Sequence, residues 1–163
     1  MRDPQPYAYS PLGANSIRLL NLGITDGTSI TLKAVNINEA PQYFALSYAW
    51  DAQSDTVPIE VNGQGFSVSS DLADAILRLR GFGLDEMDLK NRVEWVWIDK
   101  ICINQEDLME RSEQVQIMNV IYSQAIKTLI WLGPDGDECS DVWQLIEQIY
   151  GIYTLYRTEH EGV

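Results

Sequence analysis

The sequence has one histidine and two cysteines, and it lacks a glycine-rich phosphate loop. His160 lies near the end of the chain, so a Ser-His-Asp triad, a Cys-His pair and a histidine-rich zinc site would each lack a member. Cys102 is flanked by Ile101 and Ile103, which favours a buried thiol over a nucleophile. Any chemistry that this chain performs must therefore use carboxylates.

Basic residues and long apolar runs are also scarce. The chain has 11 Lys and Arg against 24 Asp and Glu, a net charge of -13. This charge repels phosphates, which makes nucleic acids and anionic membranes unfavourable partners. No apolar run approaches the roughly 20 residues that cross a bilayer, and the start does not resemble a secretory signal. We therefore expect a cytoplasmic protein whose thiols are reduced.

The hydrophobic pattern predicts one α/β domain. The 163 residues fit a single domain, residues 1–163, with a core at about 11–156 and flexible ends at 1–10 and 157–163. Strands alternate with helices from residue 44 onward, which predicts a three-layer fold with a mostly parallel sheet flanked by helices.

Local signals add antiparallel structure to the N-terminal third. Alternating residues at 16–23 and 29–37 predict an antiparallel strand pair, and Asn62-Gly63 predicts a tight β-hairpin. Ser70 or Asp71 is expected to cap a helix of about three turns, whose apolar inward face is formed by Leu72, Ala75, Ile76 and Leu79. A long helix is expected from about 105 to 125.

Polar residues follow three predicted strands. Asp51 comes after Trp50, Asp99 after Ile98, and Asp135 after the strand at 128–133. Ligands bind beyond the carboxyl ends of parallel strands, so this edge is the expected site. A Mg²⁺ site made by the three aspartates is a weaker alternative, and we assign no metal ligand.

The long helix has a polar N-terminal half. Helical spacing places Asp107, Arg111 and Gln114 on the inward-facing stripe, with Glu110 at its border. One interpretation is structural: Arg111 pairs with Asp99 or Asp107, and Asp107 forms a capping box with Glu110. The other interpretation is a ligand site.

Three segments resemble the signature blocks of the fungal heterokaryon-incompatibility (HET) domain. They are "YFALSYAWD" (43–51), "VWIDKICINQEDLMERSEQVQIMNVIYSQA" (96–125) and "TLIWLG" (128–133). Asp51 departs from the glycine that the family usually has there. The resemblance implies a role in self/non-self recognition that triggers programmed cell death. It also implies self-association or a partner death-signalling protein, in a family whose proteins are usually longer.

HET domains have been suggested to be remote relatives of Toll/interleukin-1 receptor (TIR) domains, which are flavodoxin-like and in some cases cleave NAD with one glutamate. "SDVWQLIEQI" (140–149) is similar to the TIR pattern, which makes Glu147 the first catalytic candidate and Glu110 the second. Helical spacing, in contrast, places Glu147 roughly opposite Leu145 and Ile149, which favours a solvated face.

The resulting hypothesis is a signalling domain with NAD as possible substrate and no required cofactor. The alternative is a non-catalytic interaction module. A carboxylate alone suits NAD cleavage, because nicotinamide leaves as a neutral ring. The candidate binding residues are Tyr48, Trp50, Asp51, Asp99, Asn104, Gln105, Arg111 and Gln114.

Overall fold

The computed structural model describes residues 5–23, 29–50, 55–82 and 94–133. Within these ranges the strands are β1 (Ser16–Asn21), β2 (Thr31–Asn36), β3 (Tyr43–Tyr48), β4 (Thr56–Val61), β5 (Gln64–Ser69), β6 (Trp95–Ile98) and β7 (Lys127–Trp131). The helices are α1 (Ser70–Phe82), α2 (Asp99–Cys102) and α3 (Leu108–Gln124). None of the described helices is long and apolar enough to cross a membrane.

The main sheet is mixed rather than mostly parallel. Its five strands have the order β2-β1-β6-β3-β7. The pairs β3–β6 and β3–β7 are parallel, whereas β1 runs antiparallel to both β2 and β6. The predicted N-terminal strand pair is confirmed, but β1 inserts beside β6 and is part of the main sheet. Half of the strand pairings in this sheet are therefore antiparallel, so the expectation of a mostly parallel sheet is not confirmed for the described residues.

The predicted hairpin forms a second, two-stranded sheet from β4 and β5. Asn62 and Gly63 have φ angles of 53° and 73°, the left-handed values that a type I′ turn requires. The Asn62 side chain accepts from Leu32 N and donates to Leu32 O, both at 3.0 Å. One turn residue thus closes the hairpin and joins it to β2.

Helix α1 follows β5 directly, and its cap lies one residue before Ser70, the first of the two predicted caps. Ser69 Oγ accepts a hydrogen bond from Leu72 N at 3.2 Å, so Ser69 fills the role that Ser70 or Asp71 was expected to have. The predicted inward face of α1 is confirmed, because all four of its apolar members are buried: Leu72, Ala75, Ile76 and Leu79.

Residues 5–10 lie along the hairpin and reach the main sheet. Gly65 donates its N–H to Gln5 O and accepts at its own O from Tyr7 N, both at 2.8 Å. Tyr9 Oη donates to Ile101 O at 2.8 Å, so the same segment also contacts the end of α2. The sequence predicts flexibility for residues 1–10, and it offered no signal for these long-range contacts.

Candidate functional site

The carboxyl ends of β3 and β6 bring two predicted site residues together. Because these strands are parallel neighbours, Trp50 beyond β3 meets Asp99 at the end of β6. Trp50 Nε1 donates to Asp99 Oδ1 at 3.3 Å. The Tyr48 and Trp50 rings are stacked with centroids 6.5 Å apart and planes 26° apart. Lys100 Nζ lies 4.6 Å from the Trp50 ring centroid. We call Tyr48, Trp50, Asp99, Lys100 and Gln105 the strand-end cluster.

Asp99 is the carboxylate of this cluster. Its Oδ1 also accepts from Lys100 N at 2.6 Å, while Gln105 Nε2 donates to its main-chain O at 2.9 Å. Within the described residues, Oδ2 of Asp99 accepts no hydrogen bond. Burial raises the pKa of Asp99, and the hydrogen bonds from Lys100 N and Trp50 offset this only in part. The group is a partly dehydrated carboxylate, and only one of its two oxygens accepts hydrogen bonds from the described residues.

Two tyrosine hydroxyls lie in the same electrostatic environment. Burial raises the pKa of Tyr48, and the charge of Asp99 raises it further. Burial and Asp99 likewise raise the pKa of Tyr122, although a hydrogen bond with the Ser47 side chain acts in the other direction. Both hydroxyls therefore stay protonated at neutral pH and can donate hydrogen bonds.

A second carboxylate at this edge, Glu110, is buried and paired. Arg18 Nη1 and Nη2 donate to Glu110 Oε1 and Oε2 at 2.6 and 2.9 Å. Arg18 is 3% and Glu110 8% exposed. Asn104 N donates to Glu110 Oε1 at 2.7 Å, and Arg18 also donates to Cys102 O and Ser10 O. We call Arg18 and Glu110 the buried ion pair.

The ion pair controls the charge state of Glu110. Burial on its own would raise the pKa of Glu110. The hydrogen bonds from Arg18 and Asn104 N, together with the Arg18 charge, outweigh burial, so the pKa is lowered. A bidentate guanidinium contact of this kind is among the strongest that a carboxylate can make.

The inward face of α3 differs from the predicted one. Glu110, Gln114 and Ile121 are buried, whereas Asp107 and Arg111 are exposed. The prediction that Asp107 and Arg111 face inward was wrong, and the expected ion pair of Arg111 does not form. The physical reason is that the buried cation comes from β1: Arg18 pairs with Glu110 and so sets the rotation of α3.

The predicted capping box is half formed. Asp107 Oδ1 accepts from Met109 N at 3.0 Å and Glu110 N at 3.1 Å, which confirms Asp107 as the N-cap of α3. In a complete box the Glu110 side chain would return to Asp107 N. Here it binds Arg18, and Asp107 N donates to Asn104 O at 3.2 Å instead.

The remaining predicted site residues divide into three groups. Tyr48, Trp50, Asp99 and Gln105 come together in the strand-end cluster. Asn104 and Gln114 are bound elsewhere: Asn104 N contacts Glu110, and Gln114 Nε2 donates to Ser16 O at 2.9 Å. Asp51 and Glu147 lie outside the described residues.

Two contributors were missed from the sequence, Lys100 and Arg18. Arg18 had a usable signal, because it is the single charged residue of a strand whose neighbours Ile17, Leu19 and Leu20 are fully buried. A charge in such a run needs a buried partner. The partner, however, lies 92 positions away, and one sequence does not identify it.

The described residues contain neither a reactive thiol nor a group that could bind a metal. Cys102 is buried, which confirms the prediction of a buried thiol, and burial raises its pKa to about 12. Within the described ranges, no three His, Cys, Asp or Glu side chains are grouped as metal ligands. Asp51 and Asp135 of the magnesium alternative, and Cys139 and His160, lie outside these ranges.

Comparison with known proteins identifies the family. Residues 43–159 match the family model described as heterokaryon incompatibility protein (HET), which is more than half of the chain. The chain is 34% identical over 147 residues to heterokaryon incompatibility protein 6, OR allele, of Neurospora crassa. That match covers 82% of this chain and 21% of the relative's length. No solved structure matches the chain significantly. The chain belongs to the heterokaryon-incompatibility (HET) family.

Proposed function

We propose that this domain acts as a cell-death effector in heterokaryon incompatibility, and that it works by binding NAD at the strand-end cluster and hydrolysing it. The observation that carries the proposal is the contact of Trp50 with Asp99. It joins an exposed aromatic face to a partly dehydrated carboxylate at the carboxyl ends of two parallel strands. The role in incompatibility is supported by the family to which the chain belongs.

The cluster has the groups that a dinucleotide needs. Trp50 is 50% exposed, so its ring can stack on a base or on nicotinamide. Lys100, whose ammonium lies over that ring, can pair with a phosphate when a base takes its place. Asp99 Oδ2, which accepts no hydrogen bond from the described residues, can accept one from a ribose hydroxyl.

Hydrolysis would break the bond between C1′ of the ribose and the nicotinamide nitrogen. The bonding electron pair leaves with nicotinamide, and the oxygen of water bonds to C1′ and releases a proton. A carboxylate stabilises the positive charge that develops at C1′. Both oxygens of Glu110 bind Arg18, which leaves Glu110 poorly suited to this role. The TIR-like pattern favours Glu147, which lies outside the described residues.

The first experiment measures NAD binding by calorimetry and nicotinamide release by chromatography. Trp50→Ala should weaken NAD binding by about 10-fold or more, since stacking on a base contributes roughly 1–3 kcal/mol. Leu108→Ala, which removes an exposed apolar side chain from α3, is the matched control and should bind like wild type. Equal NAD affinities of Trp50→Ala and wild type would exclude NAD binding at the strand-end cluster.

The second experiment tests the catalytic carboxylate. Glu147→Gln should retain NAD binding while nicotinamide release falls about 100-fold or more, because the lost charge acts mainly in the transition state. Wild type that releases no nicotinamide at high concentration, yet still triggers death in a fungal cell, would contradict hydrolysis.

A non-catalytic interaction module is the second candidate. Among the described strands β7 is at the edge of the main sheet, and Ile130 and Leu132 are 70% and 76% exposed there. Exposed apolar residues at a sheet edge favour association. The net charge of -13 opposes it, so association should strengthen with salt in light-scattering measurements. Leu132→Lys should then lower the apparent mass measured by light scattering. An unchanged mass would exclude association through this edge of the sheet.

A further inference from the structure

We infer that Arg18 and Glu110 are positioning residues for the strand-end cluster: the buried ion pair fixes residues 101–104 and thereby sets the position of Asp99. The inference rests on the proposed function only in treating the cluster as a ligand site. The link between the ion pair and Asp99 is a property of the free protein.

The contacts of the ion pair converge on one short segment. Arg18 Nη1 donates to Cys102 O at 3.1 Å, and Glu110 Oε1 accepts from Asn104 N at 2.7 Å. Tyr9, whose ring lies 4.7 Å from the Arg18 guanidinium carbon, donates its hydroxyl to Ile101 O. Main-chain groups of three residues within 101–104 are therefore held by side chains from the N-terminal segment, β1 and α3.

Residues 99–104 contain too little regular structure to keep this conformation without tertiary contacts. Helix α2 has four residues, about one turn, and a helix of that length is unstable without tertiary contacts. Asp99 is its first residue, and its main-chain O accepts from Ile103 N at 3.1 Å and from Gln105 Nε2. The ion pair holds one end of the turn, and Asp99 lies at the other end.

The ion pair is also buried and hydrogen-bonded within the protein, so it does not contact a ligand directly. Glu110 accepts three hydrogen bonds, and Arg18 donates to two carbonyl oxygens as well as to the carboxylate. Both side chains are more than nine-tenths buried. Their effect on the cluster must pass through the main chain of residues 101–104.

The hydrogen bond from Trp50 Nε1 to Asp99 gives a direct readout of this effect. In the ¹⁵N-labelled full chain the Trp50 indole N–H signal, assigned by its loss in Trp50→Phe, reports the position of Asp99. Glu110→Gln keeps the shape of the side chain and removes its charge. We expect it to shift the Trp50 signal and to weaken NAD binding by about 10-fold or more, because small displacements of binding groups have large effects.

Tyr43→Phe is the matched control, since it deletes a buried 2.6 Å hydrogen bond to Ile121 O at the other end of α3. It should destabilise the chain without moving the Trp50 signal. If Glu110→Gln does not fold, Arg18→Lys serves instead, because it retains the charge and loses the two-pronged contact. A Trp50 signal that moves no more in these variants than in Tyr43→Phe would overturn the inference. A shifted Trp50 signal in a protein that binds no NAD supports positioning and contradicts the proposed function alone.

Discussion

Two carboxylates at the same edge of the sheet have opposite properties. Glu110 is buried, but a guanidinium binds both its oxygens, and its pKa is lowered. Only one oxygen of Asp99 accepts hydrogen bonds from the described residues, the compensation from Lys100 is weaker, and the pKa of Asp99 is raised. Burial disfavours the charge of both groups, so the difference comes from the bidentate partner that only Glu110 has.

This difference in pKa shows that a buried carboxylate can affect the stability of the fold in two opposite ways. A satisfied carboxylate stabilises the native structure, because its ionised form is bound more tightly than in water. A carboxylate that is dehydrated without full compensation costs stability, and it is the kind of group that binding and catalytic sites contain. By this criterion Glu110 stabilises the framework, whereas Asp99 has the properties of a candidate site residue.

The largest expected effect is the loss of the ion pair. Glu110→Ala leaves the Arg18 guanidinium buried without its carboxylate, which should lower the free energy of unfolding by about 3–5 kcal/mol. Urea denaturation at pH 7 measures the change. Glu113→Ala, an exposed position on the same helix, is the control and should stay within about 0.5 kcal/mol of wild type.

The pH dependence of this loss has a definite sign. The folded pKa of Glu110 is lower than the unfolded value, so its contribution is fully present above the unfolded pKa. It disappears as the pH falls through the folded pKa. The difference between wild type and Glu110→Gln should therefore shrink in acid. A difference that grows as the pH falls through the folded pKa would mean that the pair does not hold the ionised form.

The sequence predicted local features of the helices and turns better than the long-range contacts between them. The hairpin turn at Asn62, the inward face of α1 and the cap at Asp107 depend on local chemistry, and all three are confirmed. The rotation of α3 depends on Arg18, which lies in a different strand, and the helical pattern alone was misleading about Arg111.

The site was partly predictable for the same reason. The residues that follow β3 and β6 in the sequence, Trp50 and Asp99, could be placed at one edge because parallel strands end together. The mixed order of the sheet could not be predicted, since the insertion of β1 beside β6 is decided by packing over long sequence distances.

Loss of the N-cap of α3 should lower the free energy of unfolding by a smaller amount. Asp107 Oδ1 binds Met109 N and Glu110 N, so it fixes the first turn from which Glu110 reaches Arg18. Asp107→Ala should cost about 1 kcal/mol in urea denaturation, and Asp107→Asn, which can still cap, much less. Equal losses in both variants would show that charge at this helix end matters more than the cap.

Asp99 should give the smallest effect, and one of opposite sign. Its folded pKa lies above the unfolded value, so stability falls as the pH rises from the unfolded pKa through the folded pKa. Above that window the folded state bears the full cost of the dehydrated charge.

Asp99→Asn removes this charge and retains an oxygen that can accept from Lys100 N and Trp50 Nε1. We expect the variant to be more stable than wild type at pH 7, by less than the roughly 1 kcal/mol that a helix cap contributes, and to lose this advantage below the unfolded pKa. Thermal unfolding across a pH series measures both features, with Asp107→Asn as the control for a carboxylate outside the cluster. A variant less stable than wild type at every pH would mean that Asp99, like Glu110, is part of the framework, and the contrast between the two carboxylates would fail.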